Sequence, residues 1–425
     1  MSTVSPPRGT SLGPRVDGER LWRSLMELAA IGATAKGGVS RLALTDLDRQ
    51  ARDRVIGWLR EAGCTIEIDG VGNIFATRAG RDPHAPVVLT GSHIDTQPSG
   101  GKFDGNYGVL AGLEVIRTLN DAKIATRKPV GVAIWTNEEG SRFVPVMGGS
   151  GAFAGVFPVE KILAERDVEG VTFGDALDAI GYRGAAPVGG RALDGYFEAH
   201  IEQGPILESE AKTIGLVTGT LGLRWYDCVW TGEDAHAGPT PMESRHDALQ
   251  GAARFVEAVN ALALRFAPDG RGTVGFMQVK PNSRNVVPGT VRMSVDLRHP
   301  DDAKLAAMDG ELSAAARAIA SDLRLECELK QVAQFAACRF DAACVSQVRA
   351  AAAAFGYSSR EIVSGAGHDA VYVARVAPTS MVFIPCTGGI SHNELEDALP
   401  DHVEAGANVL LHAMLARAGI AADRP

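Results

Sequence analysis

Apolar positions at helical spacing predict a first helix over 19–31. A second begins at Thr45, an N-cap with Asp48 three residues on. Leu47, Ala51, Val55, Trp58, Leu59 and Ala62 keep one face of it apolar, and Gly63 is placed to end it. Short strands are expected over 65–68 and 72–76. The β-branched run Val87-Val88-Leu89-Thr90 reads as a buried strand. A helical pattern covers 107–119, and Val130-Gly131-Val132-Ala133-Ile134-Trp135 reads as the next strand. Strand, helix, strand at this spacing predicts a parallel βαβ unit. Tyr196-Phe197-Glu198-Ala199-His200 and Met381-Val382-Phe383-Ile384 are further apolar strands, and a last helix is expected over 401–417.

The pattern changes near residue 222. Strand 223–231, helix 243–265, strands 272–280 and 289–298, helix 301–321 and strand 324–332 give the order βαββαβ of a ferredoxin-like unit. Val291, Met293, Val295 and Leu297 alternate with Arg292, Ser294, Asp296 and Arg298, so one face is buried and the other polar. The expected fold is therefore α/β. A mixed, mainly parallel sheet flanked by helices forms the main domain over 19–221 and 335–425, and a ferredoxin-like domain is inserted at 222–334. Residues 1–18, rich in Ser, Thr, Pro and Gly, read as a mobile tail without the apolar segment of a secretory signal.

Composition adds exclusions. A net charge of -9 over 425 residues argues against nucleic acid or an anionic membrane as the main partner. No apolar run approaches the roughly 18–20 residues of a membrane span. The six cysteines are scattered without a C-x-x-C pair, which suggests reduced thiols and a cytoplasmic protein.

The candidate chemistry collects at strand ends. Gly91-Ser92-His93-Ile94-Asp95-Thr96 runs into a glycine-rich turn that carries Asp104. The next strand ends in Thr136-Asn137-Glu138-Glu139-Gly140; His200 lies near a third strand end and His392 after a fourth. In α/β proteins ligands bind at such ends. His93, Asp104, Glu139, His200 and His392 suit zinc, manganese, cobalt or nickel better than calcium or magnesium. Three imidazoles and two carboxylates exceed one tetrahedral site with an open position and suit two ions sharing a carboxylate, which can acidify a bound water. Glu138, beside a ligand but pointing elsewhere, is placed to act as general base. Asp95, two residues after His93, is placed to orient its imidazole. His84, His246, His299, His402 and His412 read as ordinary satisfied histidines.

These stretches, with Glu198-Ala199-His200-Ile201-Glu202-Gln203-Gly204-Pro205, His236-Ala237-Gly238-Pro239-Thr240-Pro241-Met242, Asn285-Val286-Val287-Pro288-Gly289 and Gly389-Ile390-Ser391-His392, resemble the hydantoinase/carbamoylase family of dinuclear metal amidohydrolases. That family includes N-carbamoyl-L-amino-acid hydrolases, β-ureidopropionases and allantoate amidohydrolases, and is related to zinc aminoacylases and di-zinc exopeptidases. The resemblance implies two divalent ions per subunit. Asp104 would bridge them, with His93 and His200 on one and Glu139 and His392 on the other. It implies that the inserted domain is a lid that also makes a homodimer. His236 would polarise the scissile carbonyl, reaching into the partner's site, and Gln203, Asn285 and Arg298 would bind substrate.

Physically, Arg298 on a polar strand face suits a bidentate clamp on a carboxylate, against the alternative of an ion pair with Asp296. The Ser364-Gly365-Ala366-Gly367-His368 turn, through Gly367, is expected to offer N–H groups at a helix start to the same carboxylate. The expected reaction is hydrolysis of the ureido (N-carbamoyl) group of a small acid. Allantoate or ureidoglycolate hydrolysis, and a deacylase or exopeptidase on the same scaffold, are the nearest alternatives. A binding protein that keeps its metals structurally is the alternative of another class, and Glu138 argues against it.

Overall fold

The computed structural model describes residues 13–421. The chain divides into two compact units, residues 219–339 and the flanking segments. The inserted unit thus begins three residues before the expected 222 and ends five after the expected 334. Where the chain leaves and returns, Gly219 pairs with Arg339 and Thr220 with Cys338. Such short extended segments carry no change of pattern to mark a boundary.

In the first unit, four strands lie side by side and run parallel, in the order Val130–Trp135, Val87–His93, Leu193–Ile201 and Thr379–Ile384. Thr65–Ile68 and Ile74–Arg78 extend one side antiparallel, and Ile214–Thr220 the other. The parallel strands are buried on both faces, which is why they read as continuous apolar runs. Helices Gly18–Ala29, Asn106–Asp121 and Pro400–Ala418 pack against one another, and the latter two cover the parallel strands. Helix Asp46–Glu61 starts as its sequence requires, with the Thr45 hydroxyl accepting from the Asp48 N–H at 3.3 Å.

One expectation is corrected at the start of the chain. Residues 13–18 fall within the expected mobile tail, yet Val16 is buried and its N–H bonds to Asn408 Oδ1 at 3.0 Å. His412 Nε2 donates to the Pro14 carbonyl at 2.9 Å. A polar, proline-containing stretch is held here by the last helix, not by its own propensity. The remaining tail, residues 1–12, lies outside the described residues.

The second unit contains Gly222–Thr231, Ala248–Arg265, Arg271–Lys280, Thr290–His299, Asp302–Leu323 and Glu326–Phe335 in chain order. Its four strands are ordered fourth, first, third, second, and every neighbouring pair is antiparallel. Both helices pack on one sheet face, burying Tyr226, Trp230, Phe255, Val295 and Leu312. The first helix starts at Ala248, not at the expected 243, because the Asp247 carboxylate caps the N–H groups of Leu249 and Gln250. Residues Met242–Ser244 form a separate 3-10 turn. Two short strands not foreseen, Ala235–His236 and Val286–Val287, pair antiparallel beside this unit's sheet. Among the described residues no helix is long and apolar enough to cross a membrane.

Candidate active site

All five expected ligands converge at the C-terminal ends of the parallel strands. His93 is the last residue of its strand, and His200 the last but one of its own. Asp104 follows in the turn before helix Asn106–Asp121, Glu139 stands just beyond strand Val130–Trp135, and His392 follows strand Thr379–Ile384. Asp104 lies between them. Its Oδ1 is 3.6 Å from His93 Nε2 and 3.1 Å from His200 Nε2, while its Oδ2 is 3.3 Å from His392 Nε2. His392 Nε2 is also 3.3 Å from Glu139 Oε2. Two groups with donor atoms within 4.8 Å of one another result, His93–Asp104–His200 and Asp104–Glu139–His392.

The donor set calls for cations. His93 Nδ1 is bonded to the Asp95 carbonyl at 2.8 Å and His200 Nδ1 to the Ile201 carbonyl at 2.9 Å. A carbonyl only accepts, so both Nδ1 atoms carry protons and both Nε2 lone pairs face the Asp104 carboxylate. Lone pair against carboxylate is repulsive unless a positive charge lies between. Without a metal, only protonation supplies it. Burial opposes charge on His93, but Glu138, Asp104 and Asp95 outweigh it and raise its pKa well above the ordinary value. Burial would lift Asp104, but bonds from His200, His392 and His93 hold its carboxyl well below the usual range. A divalent cation would satisfy the same donors, so the residues fit divalent metal binding.

The two adjacent glutamates differ in their support. Glu139 Oε1 and Oε2 accept from Gln97 N at 3.2 Å and Gln97 Nε2 at 2.7 Å. Glu138 has no such clamp; its Oε2 is 3.6 Å from His93 Nε2. Burial, reinforced by Asp369, Glu139 and Asp104 against the opposing effect of His93, raises the Glu138 carboxyl well above its ordinary value. A carboxylate that readily takes a proton is what a general base that later returns it needs. Asn137, immediately before it, has φ +57°, a strained value for a non-glycine residue and a common mark of functional turns. Gly105 has φ +66°, and a Cβ there would lie 2.4 Å from the His93 ring, so both backbone and space require glycine.

Asp95 departs from its expected contact. Its main-chain carbonyl, not its carboxylate, bonds His93 Nδ1; the carboxylate stands 3.9 Å from that atom. The carboxylate instead accepts the N–H groups of Glu138 at 3.3 Å and Glu139 at 3.2 Å. The strand ends at His93, so the alternation that placed the Asp95 side chain beside the imidazole does not persist.

Gln203 Nε2 donates to Asp104 Oδ2 at 2.8 Å, and its Oε1 is buried without a partner. The 364–367 turn is less open than expected. Ser364 Oγ already accepts the Ala366 N–H, and the helix that follows, Asp369–Val373, is only five residues long. Gly367 leads directly into His368, whose ring stands edge-on to His200 at 4.5 Å. In the second unit, exposed His236 pairs with Val286 on the short strands and exposed Asn285 stands just before Val286, with the Ala237 N–H donating to the Asn285 carbonyl. Arg298 makes the ion pair with Asp296 that is the alternative to the carboxylate clamp. Its Nε and Nη2 reach Asp296 Oδ2 at 3.0 and 2.8 Å. Residues at i and i+2 on a strand point the same way, which brings the two together.

Gln97 and Glu396, which hold Glu139 and the Asp104 backbone, have no sequence signal of their own, and Ser391 stands in the sequence only as part of the Gly389–His392 motif. Each is a single polar residue in a loop, where nothing in spacing separates it from a solvated one.

Residues 89–416 match Peptidase family M20/M25/M40. The chain is 50% identical to an N-carbamoyl-L-amino-acid amidohydrolase of Rhizobium meliloti over 96% of this chain and 98% of that one. It is 34% identical to an allantoate amidohydrolase of Bacillus subtilis over 90% and 93%. Among solved structures, a hydantoinase/carbamoylase family amidase from Burkholderia multivorans matches with TM-score 0.94 and 61% identity, covering 96% of this chain and 99% of that one. The chain belongs to Peptidase family M20/M25/M40 and, within it, to the hydantoinase/carbamoylase amidases.

Proposed function

We propose that this chain is a two-metal amidohydrolase that cleaves the ureido (N-carbamoyl) group of a small acid such as an N-carbamoyl-L-amino acid. The observation that carries it is the position of Asp104, one oxygen toward His93 and His200 and the other toward His392. His93, Asp104 and His200 would hold one ion, and Asp104, Glu139 and His392 the other. Zinc or manganese suits these donors first, cobalt or nickel next. Bound there, the ions would acidify a water and stabilise negative charge on the carbonyl oxygen.

The chain supplies the remainder. Glu138 takes a proton from the attacking water as its oxygen bonds to the carbamoyl carbon. Glu138 then returns that proton to the substrate nitrogen as the bond between that nitrogen and the carbamoyl carbon breaks. The amino acid leaves, and the carbamate decomposes to carbon dioxide and ammonia. Asp95 fixes the Glu138 backbone. His236, from a partner subunit, donates a hydrogen bond to the carbonyl oxygen. Gln203, with a buried and unpartnered Oε1, suits an N–H donor of the ureido group. Asn285, Arg298 and Gly367 would be the substrate contacts, which for Arg298 requires part of its fork to leave Asp296.

The role the resemblance implies for the second unit is that of a lid that would also form the surface of a homodimer. Its edge strand Arg271–Lys280 supports self-association, with Phe276 53% and Met277 39% exposed. A cytoplasmic setting agrees with six free cysteines. Relatives named allantoate amidohydrolase and ureidoglycolate hydrolase favour one second reading, hydrolysis of those ureido acids on the same site.

An ammonia-release panel tests the proposal. Metal-free protein is reloaded with manganese, zinc, cobalt or nickel and offered N-carbamoyl-α-amino acids, N-carbamoyl-β-alanine, allantoate, dipeptides and N-acyl amino acids. Ammonia from an N-carbamoyl-α-amino acid is the expected result. Cleavage confined to dipeptides or N-acyl amino acids would overturn it.

A further inference from the structure

We propose that Glu396 is a positioning residue: it ties the His392 loop to the Asp104 segment and so governs the Asp104–Glu139–His392 cation position selectively. The inference rests on the two-cation reading above.

Glu396 is 1% exposed, yet each of its oxygens is used. Oε1 accepts the N–H groups of Phe103 and Asp104, both at 3.0 Å, and Oε2 accepts the Ser391 hydroxyl at 2.8 Å. One carboxylate therefore joins the residue before His392 to the backbone of Asp104, across a separation of 292 residues in the chain. Space has been cleared for it. A Cβ on Gly101 would lie 2.1 Å from the Glu396 carboxyl carbon, so the glycine that read as turn punctuation also makes room for this acid.

The other histidines do not need such a tie. His93 and His200 sit in strands, are fully enclosed and have Nδ1 anchored to a main-chain carbonyl. His392 is in a loop, its side chain is 51% exposed and its φ is +52°. Among the described residues its Nδ1 has no hydrogen-bond partner. Where its Nε2 points depends on the backbone of the loop. That backbone is fixed by the Ser391–Glu396 bond, by the turn in which the Glu396 N–H bonds the Asn393 carbonyl, and by the Thr387 N–H on the Asp397 carbonyl. Ser391 Oγ also lies 3.4 Å from Asp104 Oδ2, within the same cluster. Groups that orient metal ligands are worth about 10–100-fold in metal affinity.

The test is a cobalt titration of metal-free protein, read by visible absorption and by counting metal retained after desalting. Wild type, Glu396→Ala, Glu396→Gln and Ser391→Ala are compared. Wild type should bind two equivalents. Glu396→Ala and Ser391→Ala should keep one tight equivalent and bind the other about 10–100-fold more weakly. Glu396→Gln should stay close to wild type, because its amide oxygen still accepts both N–H groups and its nitrogen can donate to Ser391 Oγ. If Glu396→Ala does not fold, Ser391→Ala carries the same expectation. Two unchanged equivalents, or two weakened alike, would overturn the positioning role while leaving the two-cation reading intact. Fewer than two equivalents in wild type would overturn that reading, and this inference with it.

Discussion

The Asp95 carboxylate receives the main-chain N–H of Glu138 at 3.3 Å and, with its other oxygen, that of Glu139 at 3.2 Å. One buried side chain thus fixes both the residue assigned to proton transfer and its neighbour assigned to metal. Replacing Asp95 with Ala should strand both N–H groups, displace Glu138 and lower kcat about 10–100-fold. Steady-state kinetics with metal content measured in parallel checks it. Full activity would show that the turn holds without this anchor.

In the proposed mechanism Glu138 would carry the proton transfer that metal alone does not supply. Glu138→Gln preserves size and removes the base. The expected loss is about 10²–10⁴-fold in kcat, with metal stoichiometry unchanged. Loss of metal together with activity would make Glu138 a ligand instead.

Gly105→Ala should damage the site through sterics alone. The new methyl would meet the His93 ring at 2.4 Å in a backbone conformation with φ +66°. The imidazole must turn away from Asp104, so the His93–Asp104–His200 position should lose affinity while the Asp104–Glu139–His392 position is retained. Isothermal titration with zinc distinguishes this from a general loss of folding.

Arg298 and Asp296 can be separated by kinetics. Arg298→Ala should raise KM for a carboxylate-bearing substrate about 10–100-fold, since a hydrogen bond to a charged group is worth about 1.5–3 kcal/mol, and should leave kcat nearly unchanged. A normal KM would confine Arg298 to its ion pair with Asp296.

Asp69 gives a pH signature away from the site. Burial raises its carboxyl from 3.8 to about 6, against the opposing bonds from Asn73 and Val71. The folded chain then binds this proton more tightly than the unfolded chain. Its stabilising contribution is present in full below the unfolded value of 3.8 and is lost as the pH rises through about 6. The change is at most about 3 kcal/mol. Thermal melts of metal-free Asp69→Asn should lack this decline between pH 4 and 7, and a pH profile parallel to wild type would contradict it.

The strands that carry the ligands were legible because they are buried on both faces and read as uninterrupted apolar runs. The inserted unit was legible because Val291 to Arg298 alternate strictly. The five candidate ligands and Glu138 stood out as acids and imidazoles at strand ends, and the structure brings the five together around Asp104. What spacing could not reveal was which atoms meet. The Asp95 carboxylate turned to Glu138 because its strand had ended, and Arg298 met Asp296 because i and i+2 share a strand face. Gln97 and Glu396 lie in loops whose course is set by packing between segments distant in the chain. The Val16 stretch is ordered by Asn408, 392 residues away, a contact no local pattern records.

The central claim is that two cations share Asp104. Anomalous scattering from crystals grown with zinc, recorded on both sides of its absorption edge, tests it most directly. Two peaks per chain about 3.5–4 Å apart, one on each side of the Asp104 carboxylate, are expected. A single peak, or a pair that does not share Asp104, would contradict the account.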